Sequence, residues 1–317
     1  MGITKWLAAV LCGGSLAFVS LQSNEASVEL NTKEELGERL FSDPILSRGR
    51  AISCASCHIP QFAFADTAAF SIGDKGTRLT RNSPALTNLS GRTDFFWDGR
   101  AASLEEQALG PLATRDEMDL PVDQAVERLQ KDDFYSAAFQ KVFKTEVNTK
   151  NLIGAIAAFE RTLETTDTPY DRYLDGDVHA MSAAAVRGRM LFIGKANCAT
   201  CHSGEDFTAD RFKSIGLFNG KELNDPGRFK VTRDSSHIGL FKVPGLRNVA
   251  VTAPYMHNAM FKTLREVVQY YNTPDKFVRN PINRDLSLGS ALNLSDNEVD
   301  DIVAFLEALT DDRFKRK

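Results

Sequence analysis

Cysteine, histidine and tryptophan are scarce in this chain, and most of what there is falls into a pattern. Among 317 residues there are five cysteines, five histidines and two tryptophans. Four of the cysteines stand in two copies of one motif, Cys54-Ala-Ser-Cys57-His58 and Cys198-Ala-Thr-Cys201-His202; the fifth is Cys12. If the motif cysteines are used together, none remains for a structural disulfide. A long basic run is also missing and the net charge is −4, which argues against nucleic acid as a partner. No long alternating apolar segment points to a large sheet. The one apolar run, Trp6 to Leu21 after Lys5, is short and broken by Gly13 and Gly14. It reads as an export signal over residues 1–26 with a cut near Ala26, rather than as an anchor. Leu11 is a poor residue before a lipidated cysteine, so Cys12 is expected to leave with the signal. Periplasmic export without stable membrane insertion follows.

A lone CxxC fits redox or zinc chemistry. A histidine immediately after it, twice over, points instead to covalent c-type haem. Cys54 and Cys57, then Cys198 and Cys201, are the expected thioether positions, and His58 and His202 the expected iron ligands. The cofactor expectation is therefore two covalent haem c groups.

The halves repeat. Leu40-Phe41 precedes the first motif and Leu191-Phe192 the second; Ala65-Asp66 and Ala209-Asp210 follow their histidines at equal distances; Ser71-Ile72-Gly73 and Ser214-Ile215-Gly216 come next. The remaining readable segments have helical period. Capping boxes start at Thr32/Glu35, Thr263/Glu266 and Ser295/Glu298. Apolar faces run through Val122, Val126 and Leu129; through Leu152, Ile153, Ile156, Phe159 and Leu163; through Val186, Met190 and Ile193; and through Val299, Ile302, Val303 and Leu306. Residues 59–121 and 203–262 are loop-rich, as a haem crevice allows. The expected fold is mainly α, with two cytochrome c-like haem domains, 27–165 and 166–317, packed around an inter-haem interface. Thr165 to Pro169 punctuates the boundary.

Ligand scarcity then separates the two haems. No histidine lies between His58 and His179, and after residue 26 the first methionine is Met118. The first haem has no local sixth ligand, although a distant His or Met could reach it. An open iron can bind peroxide, whereas a closed one mainly carries electrons. Near the second haem, Met256, Met260, His257, Tyr270 and Tyr271 compete. A helix begun by Thr263 places Leu264, Val267, Val268 and Tyr271 on one face and leaves Tyr270 off it.

The sequence resembles the bacterial dihaem cytochrome c peroxidases and the related MauG-type enzymes over nearly all of residues 32–313. The resemblance is carried by Arg81-Asn82-Ser83-Pro84, Phe96-Trp97-Asp98-Gly99-Arg100, Leu104-Glu105-Glu106-Gln107-Ala108, Pro111 and Glu117-Met118. It continues through Gly227-Arg228-Phe229, Phe241-Lys242-Val243-Pro244, Leu246-Arg247-Asn248-Val249 and Pro254-Tyr255-Met256-His257.

This resemblance implies reduction of H2O2 at the first haem, with electrons from a small redox protein or a periplasmic protein substrate. It implies Glu117 as distal acid, Gln107 as distal amide, Pro111 as a residue crowding out a sixth ligand, and Trp97 between the haems. Classical members carry a distal histidine that this chain lacks, so the MauG branch is the nearer likeness. Tyr271, fourteen residues after His257, stands where the classical enzymes place an axial Met and MauG-type enzymes a Tyr. Asn82 with the carbonyls of Thr252 and Pro254 matches an inter-haem calcium site. Arg228, Lys242 and Arg247 are candidate propionate partners, with solvent exposure as the alternative. Ala196 replaces the surface Trp through which MauG oxidises its protein substrate, leaving that exit in doubt and a tyrosine route as another. Glu105 and Glu106 read as exposed helix face. The competing functions are a classical cytochrome c peroxidase and a non-enzymatic dihaem electron carrier.

Overall fold

The structure is a computed structural model, and it describes residues 29–315. The export signal and Cys12 lie outside them. Ten α-helices and one two-stranded sheet are found among the described residues: α1 Lys33–Ser42, α2 Leu104–Ala113, α3 Val122–Gln130, α4 Asp133–Phe143, α5 Thr149–Arg161, α6 Pro169–Leu174, α7 Ala183–Ile193, α8 Phe229–Thr232, α9 Leu264–Asn272 and α10 Asp296–Glu307. The strands, β1 Phe212–Lys213 and β2 Phe241–Lys242, pair antiparallel. The fold is mainly α, as expected. All three expected capping boxes form.

Two apolar cores organise the helices. One joins Leu36 and Leu40 of α1 to Phe139, Leu152 and Ile156; the other joins Phe192 of α7 to Val268, Val299, Ile302 and Phe305. In each half the main helix pair, α1 on α5 and α7 on α10, closes over a glycine. A Cβ on Gly37 would lie 2.7 Å from the Ala155 carbonyl carbon, and one on Gly188 would lie 2.5 Å from that of Asp301. Backbone thus meets backbone at both crossings, which only a residue without a side chain permits.

That contact corrects one expected face. On α7 the buried residues are Ala185, Gly188 and Phe192, while Met190 is 62% exposed and Ile193 50%. Gly188 must face Asp301, and this turns Met190 and Ile193 towards solvent, while Val186 stays half-buried against the core. The segment from Thr165 to Pro169 is not a loose connection either. Thr165 is buried and accepts from the Asn248 amide at 2.7 Å; Thr168 is fully buried and caps α6 in a box with Asp171. Residues 59–121 and 203–262 are indeed mostly irregular, apart from α2, α8 and the small sheet.

Candidate haem and peroxide site

Each CxxCH motif opens on a single tight turn. Cys57 N and His58 N donate to Cys54 O at 3.1 and 2.9 Å; Cys201 N and His202 N donate to Cys198 O at the same two distances. Wrapping the chain this way draws two thiols and one imidazole together within five residues. The ring orientation also repeats. His58 Nδ1 lies 3.0 Å from Phe64 O, and His202 Nδ1 lies 3.0 Å from Phe207 O. A carbonyl on Nδ1 fixes the tautomer that leaves Nε2 free as a ligand. Burial holds both imidazoles below their ordinary pKa, in the neutral form that metal binding needs. The carbonyls of Phe64 and Phe207 are sequence-silent, since any residue supplies one.

Both histidines line one cavity of about 890 Å³. Gln107, Pro111, Glu117, Trp97, Asn82, Thr252, Pro254 and Tyr271 line it too, so the chain brings all these expected site residues together. The four thiols are unpaired, and among the described residues they are all the cysteines there are. The arrangement fits two haems, each tethered by its own motif.

On the first side, α2 presents Gln107 and Pro111 one turn apart. Ser103 caps that helix by accepting from Glu106 N at 3.2 Å. The Gln107 Oε1 atom is buried without a hydrogen-bond partner, an acceptor awaiting a donor. Glu117 follows in a turn held at both ends: its N donates to Thr114 O at 3.0 Å and its O accepts from Asp74 N at 2.8 Å. Burial raises the Glu117 carboxyl pKa, the Arg100 cation opposes that, and Asp116 adds to it. A carboxyl of raised pKa is suited to giving and taking a proton. Met118, the first methionine after the proposed signal, is 4% exposed in the α1/α5 core and does not line the cavity. Of the methionines and non-motif histidines among the described residues, only Met256 and His257 do.

Trp97 is half-buried and donates Nε1–H to Asn82 O at 2.8 Å. Its ring meets His257 edge-on, at 6.3 Å between centroids, and His257 stacks on Phe241 at 3.6 Å. His257 is thereby sandwiched, and burial drops its pKa to about 4. Arg81 anchors this layer through Asp98 at 2.7 Å and Asp225 at 2.6 Å.

On the second side, Leu264, Val267, Val268 and Tyr271 of α9 all line the cavity. Burial is the main cause of the Tyr271 phenol's upward pKa shift, with Tyr270 and then the Cys198 and Cys201 thiols adding to it. Tyr270 lies off this face, fully buried, and donates its hydroxyl to Ile215 O. Met260 is 37% exposed and does not line the cavity.

Several expectations need correcting. Arg247 is neither exposed nor free: it grips Asp171 through two bonds of 2.8 Å and reaches Asp206 at 3.3 Å. Arg228 donates to Asp98 O at 3.0 Å, and Lys242 pairs with Asp210 at 3.1 Å while also reaching Thr93 O. These cations clamp protein to protein, so any role towards propionates would be shared. Glu105 is a half-buried, bidentate partner of Arg161, tying α2 to α5, whereas Glu106 is exposed, as expected, and accepts from Ala102 N at 2.8 Å. Ala196 is 7% exposed and lines the cavity. Among the described residues no three His, Cys, Asp or Glu side chains gather into a metal cluster. Asn82 turns its amide nitrogen towards the carbonyls of Ala68 and Ala69, at 3.2 and 3.3 Å. No helix among the described residues is long and apolar enough to cross a membrane.

Comparison with known proteins agrees with this geometry. The di-haem cytochrome c peroxidase profile matches residues 31–179, and the cytochrome c profile matches residues 185–310. The methylamine utilization protein MauG of Methylorubrum extorquens is 38% identical over 87% of this chain and 78% of its own length. The cytochrome c551 peroxidase of Nitrosomonas europaea is 36% identical over 88% of this chain and 80% of its own. The crystal structure of a MauG-like protein associated with microbial copper homeostasis superposes with a TM-score of 0.79 at 31% identity, covering 89% of this chain and 92% of that one. A repeated haem-binding turn, a shared cavity and these likenesses lead to one conclusion: the chain belongs to the di-haem cytochrome c peroxidase and MauG family and is a peroxidase, an oxidoreductase acting on peroxide.

Proposed function

We propose that this is a periplasmic, MauG-like dihaem peroxidase with an open first haem and a second haem held between His202 and Tyr271. Two covalent haem c groups attach through Cys54 and Cys57 and through Cys198 and Cys201. Haem at His58, when bound, supplies an iron that accepts peroxide and exchanges electrons. The rest is the work of side chains. Glu117 takes the proton from the near peroxide oxygen and delivers it to the leaving oxygen. Gln107 offers its unpartnered Oε1 to the peroxide O–H and so orients it. Pro111 fills space that a sixth ligand would need. Two electrons and two protons convert each peroxide to two waters, the electrons arriving past Trp97 from a protein donor or protein substrate.

The observation that carries this reading is the composition of the cavity wall. Gln107, Pro111 and Glu117 stand together there, and the only His and Met outside the motifs come from the stretch packed on Trp97 and Phe241. Tyr271 is supported as second ligand by its place on the wall of the cavity that Cys198, Cys201 and His202 also line. Burial disfavours a bare phenolate at this position, so the anion needs a cation in the cavity, and ferric iron is one. A calcium ion bound by Asn82, Thr252 O and Pro254 O belongs to the same proposal; hard oxygen donors and water suit it.

Electron paramagnetic resonance of the ferric protein tests the reading. One high-spin and one low-spin haem are expected. Tyr271→His should keep the low-spin signal, shift its g-values and raise the potential of that haem. Two low-spin signals in the wild type would overturn the open first haem. Unchanged g-values in Tyr271→His would overturn the tyrosine ligand and return Met256 to consideration.

A further inference from the structure

Helix α2 has a second cavity behind it. Gln107 and Pro111 face the haem cavity, whereas Glu106, Leu109, Gly110 and Ala113 line an outer pocket of about 400 Å³. Only Phe96 and Arg100 line both. They stand between the outer pocket and the side of the haem cavity that Gln107 and Glu117 line. The Arg100 guanidinium lies flat on Phe96, 3.4 Å from the ring centroid. Phe96 in turn rests on Gly110, where an added Cβ would fall 2.9 Å from the ring.

The partition is built to move at one residue. Asp98 holds two arginines. Arg81 is 14% exposed and also locked to Asp225, whereas Arg100 is 43% exposed and, among the described residues, has Asp98 as its single ion-pair partner, at 3.0 Å. Asp98 is buried, but Arg81 remains on it when Arg100 leaves, so the buried carboxylate is not stranded, and a stacking contact at the surface is worth little. Arg100 can therefore swing outward at small cost while Arg81 keeps Asp98 in place.

We propose that Arg100, stacked on Phe96, is the gate through which peroxide passes from the outer pocket to the distal side of the first haem. The proposal rests on the open first haem described above. It makes Arg100 a selectivity residue: the closed stack admits a molecule of the size of peroxide and holds back larger ones.

The test uses the haem-loaded full protein and follows ligand binding to the ferric iron by stopped-flow absorbance. Imidazole is the bulky neutral probe and azide the small anionic one. Arg100→Ala should raise the imidazole association rate by about tenfold, the scale of a lost stacking contact. Azide should not speed up, because the attracting charge is gone. Ala113→Phe, at an exposed position of the outer pocket, should slow both imidazole and peroxide. Imidazole rates unchanged in Arg100→Ala, or ligand and peroxide rates unchanged in Ala113→Phe, would overturn the gate. If neither probe binds even the wild type, the open first haem itself fails, and that outcome is distinct from ligands that bind with no sensitivity to either substitution.

Discussion

The crossing of α7 and α10 offers a sharp test of how the second haem site is held. Replacing Gly188 by alanine adds one methyl group where there is no room. Its carbon would sit 2.5 Å from the Asp301 carbonyl carbon and 3.0 Å from Ile302 N, and closer still to Asp301 O, while ordinary contact begins near 3.4 Å. The atoms in the way are backbone, so the helices must part by about 1 Å or bend. Overpacking of this kind costs typically 1–3 kcal/mol, less at most about 1 kcal/mol gained from alanine's helix preference. Gly154 in α5 is the control, because nothing lies within 4 Å of a Cβ there. Gly154→Ala should stabilise by up to about 1 kcal/mol. Calorimetry on the haem-loaded protein reads both: at roughly 2–4 °C per kcal/mol for chains of this order, Gly188→Ala should melt several degrees lower and Gly154→Ala slightly higher. Because α7 ends at Ile193, a short step before Asn197 and Cys198, the lost order should also broaden the low-spin signal of the second haem. If Gly188→Ala melts like the wild type, or if the two substitutions act alike, the backbone contact at this crossing is not what positions the motif.

Glu117→Gln keeps the size of the side chain and removes its proton. Reaction of the ferric protein with H2O2, followed at the Soret band, should slow by about a hundredfold or more, the usual contribution of a positioned acid–base group; an unchanged rate would remove Glu117 from the mechanism. Glu160 carries a pH prediction. It is 4% exposed, one carboxyl oxygen has no partner, and burial raises its pKa from 4.5 to about 8. The native state therefore keeps a proton that the unfolded chain releases above pH 4.5, and stability declines as pH rises from there towards 8. Thermal melts of Glu160→Gln and wild type should converge near pH 4.5 and separate in favour of the variant towards pH 8; a constant gap would refute this.

The sequence by itself determined the chemistry of attachment. CxxCH is a local motif: its thiols and imidazole are drawn together by one turn, whatever surrounds them, so two haem sites were legible without coordinates. The capping boxes and most helix faces were equally legible, because side-chain caps and helical period act within a few residues. The scarcity of histidine and methionine limited the axial ligands by simple counting. What counting could not do was orient. The series Val186, Met190 and Ile193 has the period of a buried face, yet a non-local backbone contact at Gly188 keeps only Val186 against the core and turns Met190 and Ile193 outward. Arg228, Lys242 and Arg247 read in the sequence as propionate partners or exposed charges, and they are engaged by carboxylates and carbonyls remote in the chain. The carbonyls that aim His58 and His202 leave no mark in a sequence at all. Tertiary structure alone decided that Gln107, Glu117 and Tyr271 share a cavity with both motif histidines, and that Arg100 and Phe96 line both this cavity and the outer pocket. Those arrangements depend on how distant segments pack, and packing is fixed by the whole chain at once.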